Sequence, residues 1–135
     1  STEIFATACA AWDDDVWKAD MRRVFGGAAN GLIEKEETAW HNNDQQARKA
    51  RFEKILAHWP QLRKIMDEEL PPTQQIFALM QKVGMPMLAR ELGWSDQDVQ
   101  DAFRLSRNAR DKYLTSSLLW DMGMLEEMAR EMAAQ

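Results

Sequence analysis

The chain has 135 residues, a length suited to one domain that buries roughly two-thirds of its unfolded surface. Its 17 basic and 22 acidic residues leave a net charge of −5, which argues against a nucleic-acid module with a basic face. No apolar run approaches the ~20 residues of a membrane span, no secretory signal opens the chain, and a single cysteine builds neither a disulfide framework nor a thiolate metal cage.

Good helix formers dominate and β-branched residues are scarce, so the expected class is all-α. The sequence reads as a compact bundle of six to eight helices, one helical domain over 1–135 with 1–43 its least regular part. The expected setting is soluble and cytoplasmic.

In chain order, 2–12 places Ile4, Phe5, Ala8, Cys9 and Trp12 at helical spacing. "DDD" (13–15) supplies a cap and first-turn acids for a helix whose stripe is Val16, Trp17, Met21, Val24 and Phe25. "GGAANG" (26–31) loosens that element, and helix is expected again from Leu32 toward Trp40. "HNND" (41–44) is a turn with Asn43 or Asp44 as the next cap.

The run from Asp44 to Leu70 carries Phe52, Ile55, Leu56 and Trp59 on one face, continued by Leu62, Ile65, Met66 and Leu70. Pro60 predicts a kink or break at 59–60, because it lacks an N–H and pushes Trp59 from the helical region. "LPPT" (70–73) ends the element, with Thr73 expected to cap a helix over 74–83 that Gly84 closes. A short helix over 85–93 should follow. Ser95 and Asp98 then form a capping box before a face of Val99, Ala102, Phe103, Leu105 and Ala109. A short apolar helix, Gly123 and an amphipathic run complete the chain.

Few residues suggest chemistry. Glu37 and His41 stand four apart, half a metal site at most, and His58 is alone beside Trp59; both histidines read as helix-end or surface groups. No strand precedes "GGAANG", so it reads as a turn rather than a phosphate loop. Cys9 reads as a buried structural thiol, "RKARFEK" (48–54) as a solvated helix face, and the six tryptophans as core. The strongest polar cluster is Arg107, Arg110 and Tyr113, at i, i+3 and i+6, with Asp111 and Lys112 beside them. If the helix continues, Arg107, Arg110 and Asp111 share a face. Two guanidinium forks and a phenol could hold a phosphate or carboxylate, or pair with acids of a neighbouring helix.

"HWPQLRKIMDEELPPTQQIFALMQKVGMPMLARELGWSDQDVQDAF" resembles, in order and spacing, the C-terminal helical domain of the glycerol-1-phosphate dehydrogenase family. That family belongs to the iron-containing alcohol dehydrogenase and dehydroquinate synthase-like group. The tail is similar too: Arg110-Asp111-Lys112-Tyr113-Leu114, an apolar stretch, then Trp120-Asp121-Met122-Gly123-Met124-Leu125, with Lys112 in place of an Arg and Leu114 in place of a Thr. The likeness spans about 55–127.

The resemblance implies an N-terminal nucleotide-binding domain for NAD or NADP, in the same chain or separate, with this helical domain forming the other wall of the cleft. It implies a divalent metal, usually zinc, held by an Asp and two His, with the His ligands expected upstream of residue 1. The chain alone would then bind neither cofactor nor metal and catalyse nothing. Arg107, Arg110, Lys112 and Tyr113 are the implied substrate-cleft candidates, and a homo-oligomer is compatible with this reading. The rival reading is a stand-alone, non-catalytic helical interaction module.

Overall fold

The computed structural model describes residues 1–134, and these are all-α, with no strand among them. Helix α1 (Thr2–Ala10) starts at Ser1, whose hydroxyl accepts the Ile4 N–H. Helix α2 (Asp14–Phe25) is capped as its acids predict: Asp13 Oδ1 accepts the N–H groups of Asp15 and Val16 at 2.9 and 3.1 Å. The expected loosening over "GGAANG" shrinks to one 3-10 turn, Gly26–Ala28, entered through Gly26 at φ +52°. Helix α3 (Ala29–Lys35) therefore begins three residues before Leu32. It buries Ala29 and Ile33 against α2.

A π-helical turn, Glu36–Trp40, follows and is stopped by His41 in the left-handed region at φ 53°. This wider turn carries Glu36 inside, where Oε1 accepts the Asn43 N–H at 2.5 Å. Helix α4 (Gln45–Ala57) is capped by Asp44, which accepts the Ala47 N–H at 2.6 Å; Asn43 is buried instead. The chain breaks at His58, and α5 (Trp59–Glu69) holds Pro60 in its first turn, where no N–H is missed.

Helix α6 (Thr73–Lys82) corrects the capping expectation, because Thr73 is its first residue and Pro72 holds the cap position without a side-chain acceptor. Gly84 closes α6 at φ +68°, as expected. The helix expected over 85–93 is only a 3-10 turn, Ala89–Leu92: Leu88 is extended, and Glu91 Oε2 accepts the Met87 and Leu88 N–H groups at 2.8 and 3.3 Å. Helix α7 (Asp96–Leu105) has the predicted capping box: Asp98 Oδ2 accepts the Ser95 N–H at 2.8 Å, and Ser95 Oγ accepts the Asp98 N–H at 3.2 Å. Helices α8 (Thr115–Met122) and α9 (Leu125–Ala133) meet at Gly123.

Trp17 and Met21 of α2, Ala29 and Ile33 of α3, and Leu105 of α7 form the core cluster. Helix α9 packs along α7, and α4 and α1 pack against α8. Phe5 stacks on Phe52 with ring centroids 4.0 Å apart. Gly123 permits the approach of α1, because a Cβ there would lie 2.9 Å from the Phe5 Cα. Arg23 pairs with Asp101 through two bonds of 2.6 and 2.8 Å, and Arg104 reaches both Asp20 and Glu126, tying α2, α7 and α9.

The second half of the expected long stripe behaves differently. Phe52 is buried, yet no residue from 53 to 100 is, and Ile65 and Val83 are 55% and 64% exposed. Residues 59–94 form an arm carrying α5, α6 and the 3-10 turn, joined to the body through α4 and α7.

Candidate functional site

The body carries an open pocket of about 730 Å³ between α1, α2, α8 and α9, with α4, α7 and a 3-10 turn, Ser106–Asn108, also lining it. Its walls are mostly apolar, including Ile4, Ala8, Trp12 and Val16, and its floor carries Arg48, Arg107, Asn108 and Trp120. The floor is the unusual part. It places two guanidinium groups inside the protein, Arg48 at 1% and Arg107 at 5% exposure.

Burial of a cation is unfavourable unless other groups replace its water. Arg48 Nε and Nη2 donate to the Trp120 carbonyl at 3.1 and 2.6 Å, and Nη1 donates to Gln45 Oε1 at 3.3 Å. That carbonyl lies in the last turn of α8, the negative end of the helix, so the dipole favours the cation. The Arg48 guanidinium carbon also lies 3.6 Å from the centroid of the Trp120 ring, within cation–π range. Desolvation lowers the Arg48 pKa from its ordinary value, opposed by the nearby carboxylate of Asp121.

Arg107 lies 4.1 Å from the same ring and donates through Nη2 to Asn43 Oδ1 at 2.6 Å. No carboxylate among the described residues touches it. Burial pushes its pKa down to about 10, with Glu36 acting in the opposite direction, and the group stays a cation at neutral pH. Buried Asp121 accepts from Arg51 Nε at 2.8 Å and from the Tyr113 hydroxyl at 2.9 Å through Oδ2. Burial of that hydroxyl, then the Asp121 charge and hydrogen bond, raise the Tyr113 pKa, although the residue as a whole is largely exposed.

Several polar atoms around this floor are closed to solvent and have no partner among the described residues: the indole N–H groups of Trp17 and Trp120, both ends of the Asn108 amide, Asn43 Nδ2 and Asp121 Oδ1. Buried polar groups are nearly always paired, so this concentration is notable.

The four cleft candidates do not converge. Helix α7 stops at Leu105 and gives way to a 3-10 turn, Ser106–Asn108, so Arg107, Arg110 and Asp111 share no helix face. Arg107 points into the body, Tyr113 sets its hydroxyl on Asp121, and Arg110 and Lys112 stand exposed on the turn before α8. The "RKARFEK" reading needs correction at Arg48, which is buried. Its signal was present, since Arg48, Phe52 and Ile55 follow helical spacing and Arg48 thus lies on the apolar stripe. Cys9 is half-buried rather than buried.

No three His, Cys, Asp or Glu side chains among the described residues group to hold a metal. Glu37 is taken by Lys18 at 2.5 Å, and His58 Nδ1 contacts the Lys54 carbonyl oxygen at 2.9 Å. None of the described helices is long and apolar enough to cross a membrane. The chain matches no family model, and comparison with curated proteins and with solved structures finds no match.

Proposed function

We propose that this chain is the helical, substrate-side half of an NAD(P)-dependent, metal-dependent polyol-phosphate dehydrogenase of the glycerol-1-phosphate type. In this reading its fold is the dehydroquinate synthase-like helical one, its setting is cytoplasmic, and it is inactive alone. The observation that carries the reading is the uncovered apolar surface of the arm. Ile65, Leu70, Phe77, Leu79 and Val83 are all exposed there. They fall within the stretch whose Trp-Pro helix, Leu-Pro turn and glycine-closed elements carry the resemblance.

Burying a large apolar side chain contributes ~1.5–3 kcal/mol, so a surface of this kind favours a covering partner. A nucleotide-binding domain is the partner this reading supplies, and the cofactor and metal would lie on its side of the cleft. Arg110 and Lys112, exposed and without ion pairs among the described residues, are the phosphate-facing groups. Arg107 and Tyr113 act as positioning residues here: Asn43 holds one Arg107 nitrogen, Nη2, and Asp121 holds the Tyr113 hydroxyl.

Joining the chain to its nucleotide-binding domain should yield nicotinamide reduction with glycerol-1-phosphate, while the chain alone gives none. In the joined enzyme Arg110→Ala should raise the KM for glycerol-1-phosphate, and an unchanged KM would remove Arg110 from the site. The same uncovered arm also favours a stand-alone interaction module. Intact mass of the native protein separates the two: about 15.6 kDa supports the module, and more than twice that supports the dehydrogenase.

A further inference from the structure

We infer that the cavity in the helical body is a binding site for a small monocarboxylate on an apolar body, such as an arylalkanoic acid. The inference does not rest on the dehydrogenase reading and concerns a different ligand. Its first support is the chemistry of the floor. Arg107 is a buried cation with no carboxylate in contact, and it lines the cavity beside Trp120 and Asn108.

Unpartnered polar atoms supply the second support. Among the cavity-lining residues they comprise three donor groups, the indoles of Trp17 and Trp120 and the Asn108 amide N–H₂, against one acceptor, Asn108 Oδ1. A ligand rich in acceptors is what this imbalance lacks. None of these donors has a hydrogen bond to lose, and any bond one of them made to a carboxylate would be charge-assisted.

Size and walls select the rest of the ligand. About 730 Å³ lies within the range of small-molecule pockets, and apolar walls with a few convergent polar groups are their usual make-up. The charged lining sets the ligand's charge. Glu3, Asp13, Asp20, Glu126 and Glu127 line the pocket against Arg48, Arg104, Arg107 and Arg130, and Arg104 already pairs with Asp20 and Glu126, so a phosphate dianion is disfavoured relative to a single carboxylate.

Isothermal calorimetry on the purified chain tests this with 3-phenylpropionate, its neutral amide and inorganic phosphate. The acid should bind, with the amide at least ~10-fold weaker and phosphate giving no heat. Arg107→Lys keeps a buried cation and should weaken the acid several-fold by losing the fork geometry. Because a change at Arg107 can disturb folding, Thr7→Tyr at an exposed, cavity-lining position provides the second variant and should abolish binding. Absence of binding, equal affinity for acid and amide, preference for phosphate, or full binding by Thr7→Tyr would each overturn the proposal.

Discussion

Helices α2 and α5 make a revealing pair. They are nearly equal in length, 12 and 11 residues, and both are amphipathic with a tryptophan in the N-terminal half. Helix α2 buries Trp17 and Met21 in the core, whereas α5 buries nothing and leaves Ile65 55% exposed. An apolar stripe thus says that a helix has a face to cover, and leaves open what covers it. In the body that cover comes from α3 and α7 of the same chain. In the arm the cover is partial: Trp59, Leu62, Met66 and Met80 are half-buried, and no residue is fully buried.

The largest expected effect lies on the body side. Arg48→Ala removes two bonds to the Trp120 carbonyl and a side chain packed on its ring, and should cost about 3–5 kcal/mol in urea unfolding. A loss below about 1 kcal/mol would mean that the buried guanidinium is not integral to the body.

Two glycines extend the comparison. Gly123→Ala meets the Phe5 backbone as well as an unfavourable φ of +76°, so a loss of about 2–3 kcal/mol is expected. Gly84→Ala in the arm has only its φ of +68° to contend with, since nothing lies within 4 Å of the new Cβ, and should cost about 1 kcal/mol. Equal losses would contradict the contrast.

Acid dependence belongs to the body as well. The hydrogen bond from Arg23 holds the Asp101 carboxyl below its ordinary range, so the folded state favours the ionised form. The stability it contributes is present above the unfolded value of about 3.9 and is lost as pH falls through the lower folded value. Asp101→Asn should therefore cost about 1 kcal/mol at neutral pH, discounted for the half-exposed Arg23, and flatten the acid limb of a stability–pH curve. An acid limb as steep as that of the unsubstituted chain would place the proton-linked stability elsewhere.

The smallest effect is expected in the arm. Leu79→Ala should change the stability of the isolated chain by no more than about 0.5 kcal/mol, because the side chain is 62% exposed. A loss above 1 kcal/mol, measured by the same unfolding curves, would show that the arm is packed against the body after all.

Most helix starts and stops were legible because they depend on neighbours in sequence. Asp13, Asp44 and the Ser95–Asp98 box cap where their spacing says, and Gly84 and Gly123 close helices in the left-handed region. Thr73 and 85–93 depart from expectation for equally local reasons: Pro72 holds the cap position of α6, and Leu88 is extended with Glu91 bonded to the Met87 N–H. The candidate site was less legible. Arg107, Arg110 and Tyr113 have suitable spacing, but that spacing has meaning only on a continuous helix, and α7 ends at Leu105. Arg48 lay on an apolar stripe, yet its composition-matched neighbours suggested a solvated face.

By itself, then, the amino-acid sequence determined the all-α class, several helix caps and stops, and the amphipathic stripes of helices such as α2 and α5, because capping and 3.6-residue periodicity act within one or two turns. Tertiary structure alone decided which stripes found cover, that Arg48 and Arg107 both come to rest on Trp120, and that Trp17, Asn108 and Trp120, each with an unpartnered donor, line one pocket. Those outcomes depend on contacts between residues far apart in the chain, such as Arg48 and Trp120, 72 positions apart, where a carbonyl at the end of a distant helix stabilises the cation.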